Sequence, residues 1–245
     1  MLRVDFVTLF PEMVIGAASH SILKRAAASG LVEFAASNPR DFTTDRHRTV
    51  DDAPYGGGPG MVMMAGPLAA ALDSVLGDST GAAVVFPDPV APLFTQTDAA
   101  SLAQSQRIVF VCGHYEGIDQ RVRDLYATHA FSIGDYVLTG GELPALVMAD
   151  AVVRLLPGAL GSADSLAADS YAEGLLTAPQ YTRPEDFRGC AVPDLLTSGD
   201  HEAVRRWRRR QALALTRRLR SDLFARAHLE PGDLDMLSSL TRADD

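Results

Sequence analysis

Three short segments carry residue types suited to gripping a small molecule. They are Phe86-Pro87-Asp88-Pro89, Cys112-Gly113-His114-Tyr115-Glu116-Gly117-Ile118-Asp119, and a longer run from Ser132 through Ile133-Gly134-Asp135-Tyr136-Val137-Leu138-Thr139-Gly140-Gly141-Glu142 to Pro144. Glycine lets a backbone approach a ligand closely or turn through positive φ. Gly140-Gly141 stands just ahead of a helix start, where free N–H groups can meet ligand oxygens. Any one of these turns reads equally as ordinary turn geometry. Three of them at successive strand ends point to a pocket. Other chemistries lack their signatures. No GxGxxG follows the first strand, and the glycine loop at 56–60 is not followed by Lys-Ser or Lys-Thr. There is no GxSxG and no catalytic-cysteine signature. Cys112 and Cys190 are far apart and the six histidines are scattered, which argues against a disulfide scaffold or a zinc site.

The elements that must position these turns alternate. Residues 4–10 read as a strand, and Pro11 opens a helix running to Gly30. Strands are expected at 31–35, 82–86, 107–112 and, broken by Gly134, at 131–138. Helices are expected at 67–76, 95–105, 118–126 and 142–156, with a long polar loop over 37–65. Such alternation predicts an α/β fold with a mostly parallel sheet and helices on both faces. Ligands in such sheets bind beyond the carboxyl ends of the strands, where the three turns fall. After Gly158 the pattern changes. Residues 159–174 are small and polar without periodicity and read as a mobile interdomain loop. Residues 175–245 read as a small helical domain, with Asp200 capping one helix and Ser221 the next. The domain division is therefore 1–158, 159–174 and 175–245.

The chain of 245 residues carries a net charge of −9, which opposes nucleic-acid binding overall. The distribution points the other way. Residues 201–220 hold eight arginines (205, 206, 208, 209, 210, 217, 218 and 220) against one acid, Glu202, a local surplus of seven. Such a stripe either attracts phosphates or is a solvated helix face. No run approaches the roughly 20 apolar residues of a membrane span, and no signal peptide is recognisable.

Several of these segments together resemble one family. Val50-Asp51-Asp52 with Pro54-Tyr55-Gly56-Gly57-Gly58-Pro59-Gly60-Met61, the turns at 113–119, 132–138 and 140–142, Tyr181-Thr182-Arg183-Pro184, Val192-Pro193, Leu196, Ser198-Gly199 and Arg206-Trp207-Arg208 are similar to the bacterial tRNA (guanine-N1)-methyltransferases, over roughly residues 2–225. The resemblance implies a SPOUT fold with a deep trefoil knot and a small C-terminal helical domain. It implies S-adenosylmethionine as cofactor, with Mg²⁺ a further candidate and no protein metal site. It also implies methylation of N1 of the guanosine 3′ to the tRNA anticodon, by a cytoplasmic homodimer with each active site at the subunit interface.

The resemblance further implies roles. Cofactor contacts fall on Phe86, Pro87, Pro89, Gly113, Glu116, Ile133, Gly134, Asp135, Tyr136, Val137, Leu138, Gly140, Gly141 and Pro144. Asp169 becomes the base that takes the N1 proton, and Arg154 stabilises the charge that builds on O6. Contacts to tRNA fall on Arg46, His47, His114, Arg205, Arg208 and Arg209. Each role has a plainer counterpart. Asp169 precedes Ser170-Tyr171-Ala172-Glu173, a capping box. Arg154 suits an ion pair, Glu116 a pairing with Arg121 or Arg123, and Tyr136 and Leu138 ordinary core. Trp207 suits either stacking on a base or anchoring its helix. Three departures stand out: Asp88-Pro89-Val90-Ala91 replaces a Ser-Pro-x-Gly-like turn, His114 a usual arginine, and Ala168 a frequent glutamate. Rival readings are a 2′-hydroxyl or rRNA methyltransferase, a non-catalytic RNA-binding dimer, and a generic nucleotide-binding α/β protein.

Overall fold

The computed structural model describes residues 1–161, 169–171 and 174–238. Most of the loop expected over 159–174 lies outside them, as do Ala168, the end of the 170–173 capping box and the last residues of the chain. The chain divides into two compact units, 1–161 and 162–245.

The first unit is built on a five-stranded sheet in the order β2-β1-β6-β5-β7. Its strands are β1 (Leu2–Val7), β2 (Val32–Ser37), β5 (Ala83–Pro87), β6 (Arg107–Val111) and β7 (His129–Phe131). Every pairing is parallel. Alternate side chains leave opposite faces of a strand, and here both faces are covered. Val4, Phe6, Val85, Ile108 and Phe110 enter one core with Val14 and Ala18 of α1 (Pro11–Ala18), Leu23 and Ala26 of α2 (Ser21–Ala28), Leu102 of α4 (Gln96–Leu102), and Met148 and Val152 of α6 (Glu142–Val153). Val7, Val84, Phe86, Val109 and Val111 enter the other, with Leu68 and Leu72 of α3 (Ala65–Leu76) and Val122 of α5 (Gln120–Tyr126). Phe6 stacks on Phe110 with ring centroids 5.6 Å apart. The buried Asp5 is held by Arg107 at 2.8 Å and Arg3 at 3.1 Å, so its charge is paired.

Several elements differ from the pattern. The expected helix from Pro11 to Gly30 is two helices. The Ser19 hydroxyl donates to the Gly16 carbonyl at 2.6 Å and Ser21 has φ +49°, so the hydrogen-bond ladder cannot run through. The expected strand over 131–138 ends at Phe131. Beyond it the Ser132 hydroxyl donates to the Gly134 carbonyl at 3.0 Å and accepts the Gly134 N–H at 3.2 Å, a local turn in place of a ladder. The polar loop over 37–65 holds a 3-10 turn, Pro39–Phe42, and a two-residue ribbon of β3 (Asp51–Asp52) with β4 (Val62–Met63).

The second unit contains a short ribbon, β8 (Asp186–Phe187) with β9 (Cys190–Ala191), then α7 (Asp194–Thr197), α8 (His201–Leu219), α9 (Ser221–Phe224) and α10 (Asp233–Ser238). The Asp200 carboxylate caps α8, accepting the Ala203 N–H at 2.9 Å. Ser221 does not cap α9. It is the first helical residue, after Arg220, which makes no side-chain cap bond. Leu175, Leu213 and Leu237 form the buried centre of this unit. Arg209 of α8 is tied to the buried Asp233 at 2.8 Å.

Two outcomes follow. Phe110→Ala is expected to cost about 3–5 kcal/mol of stability, read from urea unfolding followed by circular dichroism. The Arg209 hydrogen bond, more than any other cause, holds the Asp233 carboxyl below its ordinary value. That contribution is complete above the unfolded carboxyl value of about 4 and is lost as pH falls through the lower folded value. Acid unfolding of the full chain, followed by fluorescence of its single tryptophan, Trp207, should lose this part of its pH dependence in Asp233→Asn.

Candidate functional site

The three turns converge on one cavity of about 440 Å³ at the carboxyl ends of β5, β6 and β7. That size and place suit a drug-sized ligand at the crevice of an open parallel sheet. Of the fourteen residues expected to contact a cofactor, all but Asp135 line it. Asp135 is exposed in the same turn. Gln120 and Arg123, outside the three turns, also line it; Tyr115, Ser132 and Thr139 line it from within the turns without having been among the fourteen, and His114, expected among the RNA contacts, lines this cavity too. The available signal was position: each follows a strand end or belongs to the adjoining helix α5.

The turns touch each other through backbone. Gly141 donates its N–H to the Gly113 carbonyl at 2.8 Å, and Gly140 bridges His114. A Cβ on Gly141 would stand 2.8 Å from the Cys112 Cα and 2.9 Å from the Gly113 nitrogen. Neither partner can yield, because both are main chain, so only glycine fits. The 86–91 turn holds its shape without the family's glycine. Asp88 accepts the Val90 N–H on its side chain at 3.0 Å and the Ala91 N–H on its carbonyl at 3.1 Å.

Glu116 is the anionic group of this cavity that lacks an ion-pair partner among the described residues. Both candidate partners are engaged elsewhere. Arg121 pairs with Asp119 at 2.6 Å and Arg123 pairs with Asp88. Gly60 makes room for Glu116: it has φ +82°, and a Cβ there would collide with the glutamate side chain. Gly56, Gly57 and Gly58 of the same loop face open space. The cavity therefore offers apolar walls (Phe86, Pro87, Pro89, Ile133, Leu138, Pro144), backbone groups at glycine turns, an Asp88–Arg123 ion pair and the Glu116 carboxylate. Such a set fits a cationic nucleoside such as S-adenosylmethionine, whose adenosine is largely apolar in its faces and whose sulfonium and amino group are positive. Tyr136 and Leu138 are partly exposed on the wall and are not core.

Asp169 lies in the second unit and lines a different cavity, of about 380 Å³, with Arg205, Arg208 and Arg209. Three of the expected RNA contacts are thus gathered beside the expected base. Arg205 and Arg208 are exposed, whereas Arg209 is half-buried and bound to Asp233. Arg154 ends α6 in the first unit and does not line its cavity. Arg46 and His47 are exposed in a loop shaped by Asp45, which accepts the N–H groups of His47 and Thr49. Trp207 is half-buried and tilts against Tyr181, with ring centroids 6.3 Å apart. Among the described residues no three His, Cys, Asp or Glu side chains converge to hold a metal ion, and no helix is long and apolar enough to cross a membrane.

The sequence comparisons agree with one another. A family model described as tRNA (guanine-1)-methyltransferase TrmD matches residues 2–226. The chain is 52% identical to a tRNA (guanine-N(1)-)-methyltransferase of Geobacter sulfurreducens over 98% of each chain. It is 51% identical to one of Moorella thermoacetica, over 98% of this chain and 97% of that one. It is 50% identical to one of Dictyoglomus turgidum, over 99% and 98% respectively.

The packing of Gly60 against Glu116 can be probed directly. Gly60→Ala should push Glu116 out of place and weaken binding of S-adenosylhomocysteine about tenfold by calorimetry, the effect of losing one charged contact. Gly57→Ala, which meets no neighbour, should leave that affinity within about twofold while carrying the same φ strain of about 1 kcal/mol.

Proposed function

Because this chain belongs to the tRNA (guanine-1)-methyltransferase family, we propose that it methylates N1 of the guanosine 3′ to the anticodon of tRNA, with S-adenosylmethionine as the methyl donor. The observation that carries this reading is the convergence of three post-strand turns, two of them glycine-bearing, on one cavity at the carboxyl end of the sheet, with Glu116 in its wall and without an ion-pair partner among the described residues. When bound there, S-adenosylmethionine supplies a methyl group activated by its sulfonium.

The protein's own part is to prepare the acceptor. Guanine N1 carries a proton at neutral pH and is a poor nucleophile until it leaves. The Asp169 carboxylate takes that proton. Negative charge then builds on O6, where the Arg154 guanidinium stabilises it. The freed N1 lone pair would then take the methyl group that the bound donor supplies, and the proton stays on Asp169. No step is assigned to Mg²⁺, for which the described residues offer no ligand cluster.

We assign the first unit to the cofactor and the second to tRNA. Supporting the latter, Arg205 and Arg208 are exposed and line the cavity that Asp169 also lines. A single-stranded loop releases a base more cheaply than a duplex does, which suits the anticodon loop. We further propose a trefoil knot, with the backbone contact of Gly141 on Cys112-Gly113 as one of its tight crossings. A homodimer with its active sites at the subunit interface is supported by α1 and α6, which pack together and leave Phe10, Met13, Leu143 and Val147 exposed. The cytoplasm, where tRNA is modified, is the proposed location.

The test is transfer of labelled methyl to a tRNA transcript with guanosine 3′ to the anticodon, beside one with adenosine there. Label on the guanosine transcript alone is expected. Asp169→Ala should lower transfer by at least about a hundredfold while S-adenosylhomocysteine still binds. Arg208→Ala should weaken tRNA binding and flatten its salt dependence by about one unit of slope. Equal label on both transcripts would overturn the assignment of the base.

A further inference from the structure

The buried carboxylate of Glu142 joins three distant segments. Glu142 is the first residue of α6 and only 2% exposed. Its Oε1 accepts the Thr8 hydroxyl at 2.6 Å and its Oε2 lies 2.7 Å from His114 Nε2. The Thr8 hydroxyl oxygen accepts the Phe10 N–H at 2.9 Å.

The proton directions follow link by link. A backbone N–H only donates, so the one hydroxyl proton of Thr8 goes to Glu142. Glu142 stands in the first turn of a helix, where the aligned N–H groups favour a negative carboxylate. A carboxylate only accepts, so His114 Nε2 carries the proton of its pair. In the neutral ring this leaves Nδ1 as an acceptor. Nδ1 has no partner among the described residues. His114 lines the cavity at the sheet's end, and its ring packs against Phe10, whose ring centroid lies 5.0 Å away.

We propose that Glu142 fixes His114 in the Nε2–H form so that Nδ1 accepts a hydrogen bond from an N–H or O–H group of the nucleoside cofactor. The inference rests on reading that cavity as the cofactor site. It gives His114 a different role from the tRNA contact expected of this position; a phosphate oxygen only accepts and gains nothing from an acceptor nitrogen. The candidate donors are the amino groups and ribose hydroxyls of the cofactor.

Long-range proton–nitrogen spectra of the full chain with labelled histidine test this, with His114 identified by the signal missing in His114→Gln. At neutral pH the wild-type ring should be protonated at Nε2 alone, and the Nδ1 resonance should move on adding S-adenosylhomocysteine. Glu142→Gln supplies a second arm. Its carbonyl oxygen can still accept from Thr8, but its amide donates to His114 Nε2 and forces the proton onto Nδ1. Affinity for S-adenosylhomocysteine should then fall about tenfold, because two donors face each other. A clamp that merely holds the turns together would keep its affinity in this variant. Full affinity in folded Glu142→Gln, a wild-type ring protonated at Nδ1, or binding without any Nδ1 response would each overturn the proposal. If Glu142→Gln does not fold, the wild-type titration decides alone. If the wild-type chain does not bind S-adenosylhomocysteine, the cofactor reading falls and this inference with it.

Discussion

The cavity depends on a contact between two stretches of main chain. Gly141 presses on Cys112 and Gly113 with no space for a side chain, and its N–H reaches the Gly113 carbonyl. Because backbone meets backbone, the separation of the two turns is set by atoms that have no rotamers to adjust. That fixes where α6 begins. The start of α6 in turn places Glu142 against Thr8 and His114, and Pro144 in the cavity wall. A larger residue at 141 would displace all of these together.

Charge in this chain is arranged by pairing as much as by composition. At the cavity Asp88 takes up Arg123, and beside it Asp119 takes up Arg121, which leaves Glu116 as a carboxylate without an ion pair among the described residues. In the second unit, Asp233 takes up Arg209, while Arg205, Arg206 and Arg208 stay exposed on α8. The protein is thus anionic overall and yet holds a basic helix beside Asp169. The field that a phosphate meets is local, because salt screens charges beyond about 10 Å.

Much of the first unit could be read directly from residue order. Apolar runs at 83–87 and 107–111 are strands buried on both faces, and their near-continuous hydrophobicity follows from helices covering each side. The helix α3 and the cap at Asp200 lie within a residue or two of expectation. Pattern failed where local bonds override it. Ser19 and Ser21 split a helix that periodicity would have continued, and Ser132 with Gly134 ended a strand early. It also missed the ribbons at 51–52 with 62–63 and at 186–187 with 190–191, because two residues have no period.

The sequence by itself determined the residue chemistry: glycines where backbone must come close, a carboxylate in a turn, arginines gathered on one helix. It determined the strand-end positions of the three turns too, since alternation and turn residues are local properties. Only the tertiary structure decided the pairings. Thr8 and Glu142 are 134 positions apart, and Arg123 and Asp88 are 35 apart. Nothing in the order of residues says that Arg123 will choose Asp88 over Glu116, or that His114 will turn its Nε2 to Glu142. Those choices belong to the packing of β5, β6 and α6 against one another, which brings side chains remote in sequence within hydrogen-bond reach.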